Sequence, residues 1–155
     1  MKNNVNEIND ITTYVNVRNL YKAKKTNKEV NDNKEWATGS YINRNGYSIV
    51  YEFENNQEND YLVDENTLCQ YSGFKTKTGQ LIFENDILQS EYGDIAQVKF
   101  GEYLNCFDPE EMKHYGFYVD WQTDGYYIKD LKYWIEKFNA KVIGNIFDNA
   151  EILQK

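Results

Sequence analysis

Two cysteines, one proline and one histidine are all that 155 residues contain of these types. Cys69 and Cys106 cannot build a disulfide framework, and their scarcity predicts a cytosolic protein with reduced thiols. A single proline excludes a Pro-rich linker or scaffold. No stretch approaches the roughly 18 apolar residues that span a bilayer. The first ten residues carry no apolar run of a secretion signal, so the expected location is the cytoplasm, with no membrane partner. Gly39, Gly46, Gly73 and Gly79 are isolated, and no glycine-rich phosphate loop exists. Cationic residues are in the minority: 17 Lys and Arg against 25 Asp and Glu, a net charge of -8. Phosphate contacts need clustered Lys and Arg, so direct nucleic-acid binding is excluded as the general mode of action.

What is present is aromatic and β-branched. The 14 Tyr, 8 Phe and 3 Trp favour strands. Ile11 to Val17 reads as a strand, and Asn45-Gly46 as a hairpin turn. After that turn Tyr47, Ile49, Tyr51 and Phe53 share one face at period two. Asn55 to Asn59 is turn-like, and Tyr61-Leu62-Val63 resumes extension to complete a hairpin. Ala96, Val98 and Phe100 alternate with Gln97 and Lys99; Tyr115, Phe117, Val119 and Trp121 alternate in the same way, before a turn at Asp124-Gly125. Between Tyr127 and Phe138 the apolar residues fall on a helical stripe, for which Asp124 is a candidate N-cap. Ala140 to Phe147 reads as a short apolar strand. The expected class is mostly β (α+β), antiparallel, with one amphipathic helix near 127–138.

Charge divides the chain. Residues 1–44 hold 8 basic and 5 acidic residues, and residues 45–155 hold 9 and 20. The expected organisation is an N-terminal strand plus Lys-rich loop over 1–44, ahead of an acidic β-rich domain over 45–155. Tyr21 to Glu35, with five lysines, reads as a solvated loop or weak helix rather than core.

Two segments carry a resemblance. Gln70 to Leu88 reads Gln-Tyr-Ser-Gly-Phe, a Lys/Thr turn closed by Gly79, then Leu-Ile-Phe-Glu-Asn-Asp-Ile-Leu. Val142 to Asn149 reads Val-Ile-Gly-Asn-Ile-Phe-Asp-Asn. In order and spacing these resemble the YopX family of phage and prophage proteins, over about residues 61–153. Asn85 stands where that family has Gly, and Ala150 where Pro is common. The resemblance implies a small, barrel-like, mostly β protein encoded by a mobile element, and it implies no catalytic activity. Read as residues alone, the blocks are fold determinants: Gly73 and Gly79 flank a tight turn, Glu84-Asn85-Asp86 forms a corner, and Gly144 marks a bulge or close backbone approach.

Candidate chemistry concentrates between residues 102 and 124. Glu102, Asp108, Glu110, Glu111, Asp120 and Asp124 lie there against Lys113 alone, interleaved with Tyr103, Phe107, Tyr115, Tyr118 and Tyr126. Carboxylates interleaved with tyrosines suit a partner-binding surface, because Tyr concentrates at binding hot spots and charge steers association. The residues assigned to it are Glu102, Tyr103, Asp108, Glu110, Glu111, Tyr118, Asp120 and Asp124. The expected partner is a host protein with a basic surface, for which a CRISPR nuclease is the specific candidate, in the cytoplasm of the bacterial host. An ordinary solvated surface is the plainer alternative. Cys69, Cys106 and His114 are candidate zinc ligands, although no C-x-x-C pair is present; buried cysteines acting as small hydrophobes are the alternative. No other cofactor is expected. A metal-binding or hydrolytic enzyme on the acidic cluster, and a homo-oligomeric phage component assembling through sheet edges, remain the competing functions.

Overall fold

A computed structural model describes residues 19–26, 35–54, 57–106, 108–109, 112–121 and 128–154. Among the described residues ten strands run in two open antiparallel sheets, with one α-helix. The class matches the sequence expectation, but the barrel does not form. Closure requires the outer strands to pair with each other, and the strands Gln57–Leu62, His114–Asp120 and Lys141–Asn145 each end a sheet. The strand expected at Ile11 to Val17 and the turn at Asp124-Gly125 lie outside the described residues.

The chain divides into two compact units, 1–70 and 71–155. In the first, β1 (Leu20–Lys24), β2 (Trp36–Arg44), β3 (Tyr47–Glu54) and β4 (Gln57–Leu62) pair in the order β4-β3-β2-β1. Residue 44, where the sequence charge changes sign, ends β2 at the Asn45-Gly46 turn and lies within this unit. That turn has positive φ at both residues, as a two-residue hairpin requires. The hairpin partner β4 begins at Gln57, earlier than its polarity suggested. As an edge strand it needs no apolar side chains, and its charge protects the edge.

Tyr21 to Lys24 is strand, not loop. β1 lies between β2 and the first residues of β5 (Cys69–Lys75). Ala23 is fully buried opposite Ala37, while Lys22 and Lys24 lie over the Trp36 ring. The lysine stems follow the sheet and leave the small residue to pack. Lys25 is buried too, its ammonium 3.6 Å from the Tyr61 ring centre. In β3 the covered side chains are Ser48, Val50 and Glu52, and Tyr47, Ile49 and Tyr51 of the face read from sequence are the more exposed.

In the second unit β5 continues against β6 (Leu81–Phe83). A separate sheet orders β10 (Lys141–Asn145), β7 (Asp86–Gln89), β8 (Ile95–Tyr103) and β9 (His114–Asp120). Its core packs Ile82, Leu88, Ala96, Val98 and Val119 against Leu131, Trp134 and Ile135. The last three come from α1 (Leu131–Lys137). The helix begins later than its apolar stripe suggested. Asp130 is extended and caps it, its carboxylate accepting the Tyr133 amide at 2.7 Å. Lys129 is held in extended pairing, its carbonyl accepting the Val119 N–H. Asp124, the cap expected from sequence, lies outside the described residues.

The two sequence blocks meet in space. β10 pairs with β7, with a bulge between Val142 and Gly144, and the Ile146 N–H donates to the Asn85 carbonyl. A Cβ on Gly144 would collide with the Asn149 side chain, so the close approach expected there is real. Asn85 is left-handed at φ 65, and it makes the same turn that a glycine would. Its side-chain oxygen also accepts Gln97 Nε2 at 3.0 Å. Asn85→Ala is expected to cost about 2 kcal/mol, through backbone strain plus the lost bond. Asn85→Gly should cost about half of that, since glycine keeps the left-handed backbone without strain. Urea unfolding midpoints at unchanged slope would measure both, and equal losses would refute the conformational account.

Candidate hairpin surface

The residues singled out between 102 and 124 fall on the β8–β9 hairpin and its connection. Alternation along two paired strands divides them between two faces. Gln97, Lys99, Gly101 and Tyr103 oppose Asp120, Tyr118, Gly116 and His114 on one face. Val98, Phe100 and Glu102 oppose Val119, Phe117 and Tyr115 on the other. Glu102 is thereby separated from Tyr103, Tyr118 and Asp120, which share the first face. Glu110, Glu111, Asp124, Phe107 and Tyr126 lie outside the described residues.

The first face is an aromatic stack over two facing glycines. Tyr103 stacks on His114 at 5.2 Å and 25°, and on Tyr118 at 5.2 Å and 20°. With no side chains at Gly101 and Gly116, the rings can lie across the ribbon; the Tyr118 ring is the nearest neighbour of Gly101. His114 Nε2 lies 2.8 Å from Asp108 Oδ2, which ties the β8–β9 connection back to β9. Asn105 Oδ1 accepts the Lys129 and Asp130 amides at 2.8 and 3.2 Å, fixing the other side of that connection.

Every described carboxylate of the expected site has a side-chain partner. Asp120 pairs with Lys99 and, at 3.8 Å, with Lys129; Glu102 pairs with Lys113 at 2.8 Å; Asp108 faces His114. The sequence window showed Lys113 alone. Lys99 and Lys129 lie outside it, and strand register and the segment leading into α1 bring them to Asp120. No local signal could have found them. Asp130, near the Tyr103 phenol, was missed for the same reason.

The electrostatics follow. The His114 hydrogen bond is the main cause holding the Asp108 carboxyl below the usual aspartate range. Burial first, then the charges of Asp130 and Asp108, push the Tyr103 phenol above the usual tyrosine value. A depressed carboxylate contributes stability above its unfolded pKa and loses it as pH falls through the folded value. In the wild type the Asp108 carboxyl carbon should therefore titrate by NMR below an ordinary aspartate. In His114→Ala the midpoint should move up toward the ordinary value. An unmoved midpoint would refute the assignment. Tyr103 has the opposite sign of pH dependence: its contribution is present below the ordinary tyrosine pKa and is lost as pH rises through the folded value.

The zinc candidates do not assemble. Cys69 is fully buried, its thiol donating to the Thr67 carbonyl at 3.3 Å, and it packs as a small hydrophobe. Cys106 is a half-buried free thiol in the connection, and His114 opens β9 rather than sharing a loop with Cys106. Among the described residues no three His, Cys, Asp or Glu side chains converge as metal ligands. No helix among them is long and apolar enough to cross a membrane.

These features define a small, mostly β protein of two open sheets and one helix, with an aromatic, ion-paired hairpin surface. The family model described as YopX protein matches residues 12–154, and the chain belongs to the YopX family, a phage-type family. The match takes in most of the first 44 residues, which the sequence blocks alone did not reach. No curated protein matches the chain.

Proposed function

We propose that this protein is a phage accessory factor that acts in the host cytoplasm by binding, without bond-breaking chemistry of its own. Its target is a basic, nucleic-acid-handling host protein. The observation that carries this reading is the β8–β9 hairpin, with aromatic side chains on both faces in a unit of negative charge. Residues 71–155 hold 9 basic and 14 acidic residues, a balance of -5. Aromatic area supplies contact energy at little entropic cost, and the net charge steers the unit toward a Lys/Arg-lined surface. Bound there, it would occlude nucleic-acid loading. In its most specific form the target is an RNA-guided nuclease, and the protein is an anti-CRISPR.

Expression in a host with an active RNA-guided nuclease is expected to restore transformation by a targeted plasmid. Unchanged interference at full expression removes the anti-CRISPR form. Affinity capture from host lysate near physiological ionic strength should retain a nucleic-acid-handling protein that free duplex competes away. Retention of none would remove the broader reading.

A further inference from the structure

The two faces of the hairpin are not equivalent as binding surfaces. On the Tyr103 face the described carboxylates Asp108 and Asp120 are already matched by His114, Lys99 and Lys129. At Asp120 a partner's cation exchanges one ion pair for another and gains little. Tyr103 is also already stacked with both His114 and Tyr118.

The opposite face differs. β7 accompanies β8 only through Gln97, whereas β9 continues to Tyr103, so the hairpin runs on as a ribbon. Phe100 is 45% exposed there and Tyr115 76%, against a Phe117 that packs into the core. The Phe100 and Tyr115 rings meet nearly at right angles, 5.2 Å apart, a favourable aromatic contact. Glu102 lies directly opposite Tyr115 in register, which places their Cβ atoms about 5 Å apart. Its partner Lys113 is an exposed side chain in a surface pair that an incoming cation can share.

We propose that Tyr115, Phe100 and Glu102 form a receptor for an arginine side chain on an arginine-rich segment of the partner. The planar guanidinium stacks on the aromatic ring while its N–H groups reach the carboxylate. Lysine, a compact ammonium, satisfies that geometry less well. This proposal rests on the binding reading above and names its surface and partner chemistry.

The test uses two unstructured peptides of equal length and charge, one alternating Arg and Gly, the other Lys and Gly. The expected result is tighter binding of the Arg peptide to the full chain, with amide shifts at Phe100, Glu102 and Tyr115. Tyr115→Ala should weaken the Arg peptide about three- to fivefold and abolish its advantage over the Lys peptide. Tyr115→Phe should retain both, because the ring remains. Equal affinity for the two peptides, shifts confined to the Tyr103 face, or an unchanged Tyr115→Ala variant would each overturn the receptor. Its failure is separable from that of the functional reading. Tyr115→Ala that still blocks the nuclease fully in the plasmid assay overturns this surface and leaves inhibition standing. Loss of both the Arg preference and inhibition supports it.

Discussion

Replacing Asp86 by alanine is expected to lower stability by about 3 kcal/mol. Asp86 is 1% exposed at the corner between β6 and β7, and its Oδ2 accepts the Phe83 N–H at 2.8 Å. Phe83 is itself buried, so the bond that alanine removes lies away from water. The loss is that of a buried hydrogen bond to a carboxyl oxygen, which water cannot replace at that depth, so it falls at the upper end of the usual range. Asp86→Asn keeps an acceptor of the same shape and should lose about half as much. Urea unfolding followed by circular dichroism measures both. Asp86→Ala within about 0.5 kcal/mol of wild type would show that the corner holds without its carboxylate. The same corner joins the two family blocks, through β7 against β10 and Ile146 against Asn85. Asp86 is therefore a structural position in this fold, and a partner-binding assay on a folded Asp86→Asn should be unaffected.

Gly39→Ala is the second large effect, expected at about 3 kcal/mol and a fall in Tm of about 10 °C. Gly39 lies in mid-strand in β2, and its Cβ position falls on the backbone carbonyl of Tyr51 in β3. A backbone obstacle cannot rotate away as a side chain can. Where space allows, Gly→Ala usually stabilises, by about 0.4–1 kcal/mol, because it restricts the unfolded chain. The sign of the change is therefore diagnostic. Hydrogen exchange should show the lost protection in β2 and β3. A neutral or stabilised variant would mean that the two strands can separate locally without cost.

These positions mark how far a sequence can be read. Asp86 sat in a recognisable corner, Glu84-Asn85-Asp86, but no pattern announced that its carboxylate faces inward. Gly39 read only as one of several isolated glycines. Gly144 was legible because a glycine within an apolar strand implies a bulge or a close neighbour, and both are present. The helix was legible from its stripe. Its start was not, because pairing with β9 holds Lys129 and Asp130 extended against the local periodicity.

The candidate surface divides in the same way. Alternation along β8 and β9 was written in the residues, and so was the acidity of the region. The pairing of Asp120 with Lys99 and Lys129 was not, since those partners are 21 and 9 positions away. A period of two says which residues share a face but never which face is covered; in β3 Tyr47, Ile49 and Tyr51 proved to be the outer ones. By itself the sequence determined the mostly β class, the presence of the helix, the family and the sign of the charge, because these follow from local periodicity, local motifs and composition. Tertiary structure alone decided which carboxylates are neutralised and which rings stay open, because burial and ion pairing depend on register with strands far away in the chain.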